Sequence, residues 1–378
     1  MSGAEALSAE RVVAFLLAED LLEEADFLTG DVRLEEAAGR NHCFRVVSTG
    51  ERSYFFKQAQ PGEAGGARGI RNEAEFYGRV EADDRLASLR PFLPRLHRYE
   101  PGRGFLVLEL RPAYQTIYEA GEADPDLGLP PISQFLAVAL AACHLVQVAG
   151  GNGDSPLSAL PRLPPWALDI PRPPPEILQD LSPGQVQILK LLQERPRIAA
   201  QLDGLRSAWA AGALVHGDLK WANLLVEVES PGGRPIGLKL IDWELARLGD
   251  PAWDIGSVFQ SYLSHSVLAL PLPEDATPEI AAQAFAACLP AVHRHIGIFW
   301  TAYIQAVRLS PGGAQSLLDR STGYCAARLL QSAFEWTQYE SRMPRSAAAI
   351  LQLSLNIFAN PRAAQGGVLG LPSGGGPG

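Results

Sequence analysis

LVHGDLKWANLLVEVESPGGRPIGLKLIDWE, residues 214–244, is the stretch whose reading decides the fold. An apolar lead-in reaches His216-Gly217-Asp218, Asn223 follows five residues after the aspartate, and a second apolar run ends in Ile241-Asp242-Trp243-Glu244. Two acids and one amide, each at the end of a hydrophobic segment, suit a metal-dependent reaction on a negatively charged group. A carboxylate and an amide oxygen can share a Mg²⁺, which prefers oxygen ligands and keeps several waters. A separate carboxylate can accept the proton of an attacking hydroxyl. Taken singly, His216, Asp218 and Asn223 read more readily as turn-capping residues, since Asp and Asn often bond their own backbone.

Around this stretch the composition is that of an ordinary globular chain. The 378 residues are 47% hydrophobic and 20% charged, enough for a large core in two domains or one two-lobed unit. A formal net charge of −10 argues against nonspecific binding to nucleic acid or an anionic membrane, and mildly favours neutral or cationic substrates. The four cysteines, Cys43, Cys143, Cys288 and Cys325, show no CxxC or other metal-like spacing and read as reduced cytosolic thiols. Acids beside the first apolar run and the lack of a basic leader argue against a signal peptide. The longest apolar stretch, Ile132 to Gly150, includes Gln134, His144 and Gln147 and reads as a core helix rather than a membrane span. A soluble cytoplasmic protein is expected.

Upstream, residues 8–28 place Val12, Val13, Phe15, Leu16, Leu21 and Leu22 at helical spacing, a leader helix within residues 1–30. The period then changes to that of strands. Val32 and Leu34 alternate with polar residues, AAGRNH interrupts, and CFRVV and RSYFFKQ flank a Thr49-Gly50 turn, the signature of a hairpin. A helix is expected over 70–82, then strands over Phe92–Tyr99 and Gly104–Leu110 around the Pro101-Gly102 turn. Arg111-Pro112 should end the sheet-rich part, 31–111, because proline cannot continue a central strand. Residues 112–360 read as mainly helical, interrupted by a proline-rich insertion at 151–176 that should be extended and mobile, with Trp166 as a candidate anchor. The Gly/Pro-rich tail, 361–378, is expected to be disordered.

As a set, the residues of the opening stretch are far more specific than any one alone. The D-x-x-x-x-N spacing, with a further Asp 19 residues after the Asn behind an apolar run, matches the catalytic-loop and metal-Asp arrangement of kinases. HGDLKWANLL…LIDWE, continued by GDPAWDIG at 249–256, resembles the aminoglycoside phosphotransferase-like branch of the protein-kinase-like superfamily, which also holds choline, homoserine and fructosamine kinases. The resemblance implies an α+β, protein-kinase-like two-lobed fold. Its N-lobe would be a small antiparallel β-sheet with one helix, and its C-lobe larger and mainly helical. It further implies Asp218 as catalytic base, Asn223 and Asp242 as Mg²⁺ ligands, Asp254 as a brace on the catalytic loop and His216 as structural.

Such an N-lobe needs a lysine on its third strand and a glutamate on the next helix. Lys57, ending YFFK, and Glu73, in RNEAEFY, fit that order, with Glu75 as the competitor on a different helix face. Gly39, in the AAGRNH interruption, stands where a glycine-rich loop would cover phosphate, and a plain turn between strands is an equal reading. No G-x-x-x-x-G-K-[ST] loop occurs. The segment FLVLELRP at 105–112 falls at the family's interlobe hinge, which implies adenine contacts from the backbone of Glu109 to Arg111. His293 and His295, lacking acidic or cysteine neighbours, read as surface helix residues, and Trp166, Trp300 and Trp336 are pocket or core candidates.

The function these expectations add up to is transfer of the γ-phosphate of ATP, with Mg²⁺, to a hydroxyl group. The acceptor is expected to be a small molecule of aminoglycoside, amino-alcohol or sugar type. A Ser/Thr side chain of a precursor peptide is the alternative acceptor, and a catalytically silent nucleotide-binding scaffold is the alternative outside enzymes.

Overall fold

The computed structural model describes residues 6–28, 32–37, 41–48, 52–60, 65–111, 113–117, 119, 129–146, 155–173, 175–178, 180–230, 233–270 and 277–372. Helices α1 (Ala9–Ala18) and α2 (Glu24–Leu28) precede strands β1 (Val32–Ala37), β2 (His42–Ser48) and β3 (Ser53–Gln58). Helix α3 (Gly66–Ala82) and a 3-10 segment (Asp84–Phe92) lead to β4 (Leu96–Glu100), β5 (Phe105–Leu110) and β6 (Tyr114–Thr116). Next come α4 (Leu129–Leu145), the short α5 (Pro175–Leu178), α6 (Pro183–Gln193) and α7 (Pro196–Ser207). Four strands follow: β7 (Ala213–Val215), β8 (Leu224–Val228), β9 (Pro235–Leu240) and β10 (Arg247–Gly249). The rest is helical: α8 (Pro251–Leu268), α9 (Pro278–Ala306), α10 (Pro311–Trp336), α11 (Arg345–Ala359) and α12 (Pro361–Gly367). The chain folds into two compact units, Met1–Phe135 with Trp221–Ala246, and Leu136–Lys220 with Arg247–Gly378.

In the first unit the expected strands form a five-stranded antiparallel sheet in the order β1-β2-β3-β5-β4. Alternation along β3 decides what each face carries. Tyr54 and Phe56 join Phe44, Val46, Phe105 and Val107 in a core on one face. Lys57, the next residue along, therefore points the other way, and it pairs with Cys43 of β2 and Leu106 of β5 in the register. The leader is not a separate piece. Leu7, Val12, Leu16 and Leu22 complete that core, because the sheet face would otherwise expose its aromatics to water. The single helix expected over 8–28 is broken after Ala18, where Asp20 adopts φ 55°.

A second sheet, β6-β8-β9, belongs to the same unit, with Tyr114 opposite Glu227 and Leu224 opposite Leu240. Strands β6, β8 and β9, expected with the helical part, thus lie with the sheet-rich one. The physical reason is pairing: β6 needs the edge of β8, and Trp243 stacks on Phe76 of α3 with ring centroids 4.4 Å apart.

In the second unit most helix starts are written in the sequence. Ser182, Asp250, Thr277, Ser310 and Asn360 each cap a helix whose next residue is proline, a residue preset for the first turn. Helix α8 is buried at every position from Ala252 to Ser264. It packs so closely on α10 that a Cβ on Gly256 would lie 2.8 Å from both Cys325 N and Ser321 O. Two expectations are corrected here. Within 151–176, residues 155–173 are anchored rather than mobile: Leu157, Ala167, Leu168 and Ile170 are buried, and Pro161 O accepts from Leu248 N at 2.8 Å. Residues 361–372 are ordered, with α12 followed by buried Leu369 and Leu371. The apolar spacing outweighs the glycines there; 373–378 lie outside the described residues. No described helix is long and apolar enough to cross a membrane.

Candidate active site

In the first unit the expected lysine and glutamate meet. Lys57 Nζ donates to Glu73 Oε2 at 2.7 Å and to Asp242 Oδ1 at 2.5 Å. The lysine and glutamate side chains are only 8% and 1% exposed. Glu75 faces away and pairs instead with Arg79 at 3.1 Å on an exposed surface, as two-residue spacing on a helix requires. Helix α3 begins at Gly66, so Glu73 sits in its interior rather than at its opening. Burial alone would depress the Lys57 ammonium, but the Glu73 and Asp242 carboxylates outweigh it and hold Lys57 above its usual range. Burial pushes Glu73 up while Lys57 pulls it down. An ammonium touching two carboxylates keeps the group charged.

Asp242 and Asn223 are brought together by the β8–β9 pairing. Leu224 lies opposite Leu240, and Ile241 N donates to Asn223 O at 3.0 Å, so both candidate ligands stand at the same end of one ladder. Asn223 is buried at 4% exposure. Asp242 takes φ 67°, ψ 55°, a left-handed conformation that non-glycine residues adopt only when neighbours impose it. Among the described residues no group of three or more His, Cys, Asp or Glu could hold a metal alone. One carboxylate and one amide oxygen fit Mg²⁺, which takes few protein oxygens and completes its shell with water and phosphate.

At the candidate hinge, two backbone groups are already engaged. Glu109 N donates to Arg95 O at 2.8 Å, and Arg111 O accepts from Tyr114 N at 2.9 Å. The Glu109 carboxylate accepts from Arg111 Nε at 2.7 Å. Gly39 lies outside the described residues.

The second unit carries Asp218, His216 and Asp254. Asp254 is fully buried on the first turn of α8, and its carboxylate accepts the backbone N–H of His216 at 2.7 Å and of Gly217 at 3.2 Å. Trp253 Nε1 donates to Gly217 O at 3.0 Å. Gly217 adopts φ 85°, which only glycine takes without strain, so the loop turns here and aims Asp218. Two cations hold Asp218. Arg328 of α10 reaches Oδ1 at 3.2 Å and Lys220 reaches Oδ2 at 2.7 Å. Burial opposes ionisation of Asp218, yet these cations outweigh it and keep its carboxyl well below the usual carboxylate range.

Sequence reading missed Arg328 and Lys220. Lys220 was visible within the opening stretch, but Arg328 is 110 residues from its partner and no local pattern points to it. His295 of α9 stacks on Tyr262 at 5.8 Å. Trp300 is buried at 6% exposure, and Trp166 is 40% exposed at the edge of Phe334.

A sequence model of the phosphotransferase enzyme family matches residues 36–296. No protein of curated function shows a significant match. Among solved structures, the choline kinase LicA from Streptococcus pneumoniae is 16% identical with a TM-score of 0.51, covering 93% of this chain and 98% of its own. The choline kinase from Cryptosporidium parvum Iowa II is 10% identical with a TM-score of 0.55, over 96% of this chain and 98% of its own. Both share the protein-kinase-like arrangement of an antiparallel-sheet lobe and a helical lobe. The family match takes in most of the chain, including Lys57, Glu73, Asp218, Asn223, Asp242 and Asp254, and on that ground the chain belongs to the phosphotransferase enzyme family.

Proposed function

We propose that the protein transfers the γ-phosphate of ATP to a hydroxyl group of a small molecule. The observation that carries this reading is the buried Lys57 ammonium held between Glu73 and Asp242. A lysine so fixed can neutralise the α- and β-phosphates of a nucleotide. Asn223 and Asp242 would hold Mg²⁺, which when bound neutralises charge along the phosphate chain. Asp218, kept ionised by Arg328 and Lys220, orients the acceptor hydroxyl and takes its proton as the new O–P bond forms and the bond from the γ-phosphorus to the β,γ-bridging oxygen breaks, releasing ADP. Its depressed basicity suits positioning more than strong base catalysis, which a loose phosphoryl-transfer transition state tolerates. Asp254 and His216 act through the loop backbone. By the same reading, the backbone around Glu109 to Arg111 would bond adenine.

A neutral or cationic acceptor is favoured by the acidic chain, and both solved structures named above are choline kinases. The test is Asp218→Asn, with the fold checked by circular dichroism, assayed for ATP-dependent phosphorylation of amino alcohols, aminoglycosides, sugars and a Ser/Thr peptide. Turnover should fall by on the order of a hundredfold or more. Undiminished turnover would refute the mechanism, and tight Mg²⁺–ATP binding without turnover on any acceptor would favour a silent scaffold.

A further inference from the structure

Arg328 is buried on α10, and its guanidinium sits over the Trp253 ring, 5.4 Å from the centroid. Nη2 donates to Asp218 Oδ1 at 3.2 Å and to Leu219 O at 3.4 Å. Nη1 donates to Gln331 Oε1 at 2.6 Å, the shortest of these contacts. Nε has no partner among the described residues, so the direction of the group rests on its two Nη ends. Gln331 is itself fixed, because its Nε2 donates to Glu335 Oε1 at 2.7 Å. Arginine can only donate and a carboxylate can only accept, so the amide between them has one orientation. Residues 328, 331 and 335 follow one stripe of α10 by steps of three and four.

Helix stability does not explain these side chains. Gln331 is buried at 5% exposure, which costs free energy unless its bonds are made. Glu335 stands in the last turn of α10, where the partial negative charge of the helix end disfavours a carboxylate. An amide at 331 also has a chemical advantage over an acid. A carboxylate there would compete with Asp218 for the guanidinium, whereas a neutral carbonyl aims the group and leaves its charge to Asp218. We propose that Gln331 is a positioning residue whose carbonyl, locked by Glu335, aims Arg328 at Asp218 and so holds that carboxylate in the pose that meets the acceptor hydroxyl. The inference rests on the reading of Asp218 as the catalytic base.

The experiment is Gln331→Met in the full chain, read in two ways. Methionine keeps an unbranched stem and similar volume but is only a weak acceptor. In protein carrying nitrogen-labelled arginine, the Arg328 signals are assigned by their loss in Arg328→Met. Their separate Nη resonances should merge in Gln331→Met as the guanidinium begins to rotate, and resonances that stay separate would overturn the proposal. Phosphorylation is then assayed with the same amino alcohols, aminoglycosides, sugars and Ser/Thr peptide. Here kcat should fall about tenfold, the scale of one hydrogen bond to a charged group, while KM for ATP changes less than about twofold. An unchanged kcat, or a loss confined to KM for ATP, would count against the role. In an Arg328→Met background the same substitution should cost less than about twofold, since Gln331 acts through Arg328; a fully additive loss would mean general damage to the helix and end the proposal. Asp218→Asn separates the two levels. If it leaves turnover intact, the reading of Asp218 fails; if it abolishes turnover while Gln331→Met leaves kcat unchanged, only the role of Gln331 fails. Should Gln331→Met not fold, Gln331→Glu decides. Its carboxylate would draw Arg328 from Asp218 and lower kcat by about tenfold on the same scale, and an unchanged kcat would sink the idea.

Discussion

Replacing Arg328 by methionine keeps the apolar stem and removes the guanidinium that lies 3.2 Å from Asp218 Oδ1. Arg328 is 5% exposed and Asp218 18%, so their attraction is poorly screened, whereas Lys220 is 47% exposed and should contribute less than about 1 kcal/mol. A hydrogen bond to a charged group is worth about 1.5–3 kcal/mol. If Arg328 orients Asp218 for the transition state, kcat/KM at neutral pH should fall by about 10- to 150-fold. Stability should fall by about 3 kcal/mol, the low end for breaking a buried pair, since Asp218 keeps Lys220. The pH dependence follows from sign. Asp218 is depressed in the folded protein, so its stabilisation is present above the unfolded carboxylate value and is lost as pH falls through the folded one. Without Arg328 the folded value rises, and the acid limb of kcat/KM moves to higher pH. At neutral pH Asp218 is ionised in both proteins, so the rate loss there reports positioning alone. The assay is a pH–rate profile with the acceptor found in the panel, beside urea unfolding. An unmoved acid limb with kcat/KM within twofold would refute the idea that Arg328 governs Asp218.

The two glutamates of α3 should separate cleanly. Glu73→Gln breaks the buried contact to Lys57 and should raise KM for ATP about tenfold. Glu75→Gln removes only an exposed i,i+4 pair worth about 0.3–0.5 kcal/mol and should leave KM unchanged; equal effects would disprove the face assignment. Gly256→Val forces a side chain into the α8–α10 contact, where a Cβ already falls 2.8 Å from backbone atoms. It should cost about 2–3 kcal/mol in urea unfolding, and a neutral result would mean that the helices separate readily.

Much of the fold was legible because its signals are local. YFFK ends a strand of period two, so Lys57 had to leave the aromatic face, and Glu73 follows one connection later on a helix whose period distinguishes it from Glu75. Asp218 and Asn223 are five residues apart in one short stretch, and Asp242 follows two residues after the strand that pairs back beside Asn223. Features that depend on distant partners were not legible. Val12 and Leu16 look like any amphipathic face until Phe44 and Phe105 are seen beneath them. Arg328 is an unremarked basic residue in a helix until its guanidinium is found on Asp218. Proline and glycine misled in the other direction. At 155–173 and 361–372 their frequency signalled disorder, while buried Leu157, Leu168, Leu369 and Leu371 anchor the chain.

Helix α8 has no outward face between Ala252 and Ser264. Each of those positions answers to a packed neighbour, and Asp254 also answers to the loop that carries Asp218. Drift in this helix is therefore constrained by volume and by loop geometry at once, so it is a poor place for a change of acceptor to begin. Surface segments of the same unit are freer. Leu163 is 76% exposed and Trp166 40% exposed on a stretch whose buried neighbours already anchor it. A lineage adapting to a new acceptor can alter such positions step by step without disturbing the helix that keeps the loop in place.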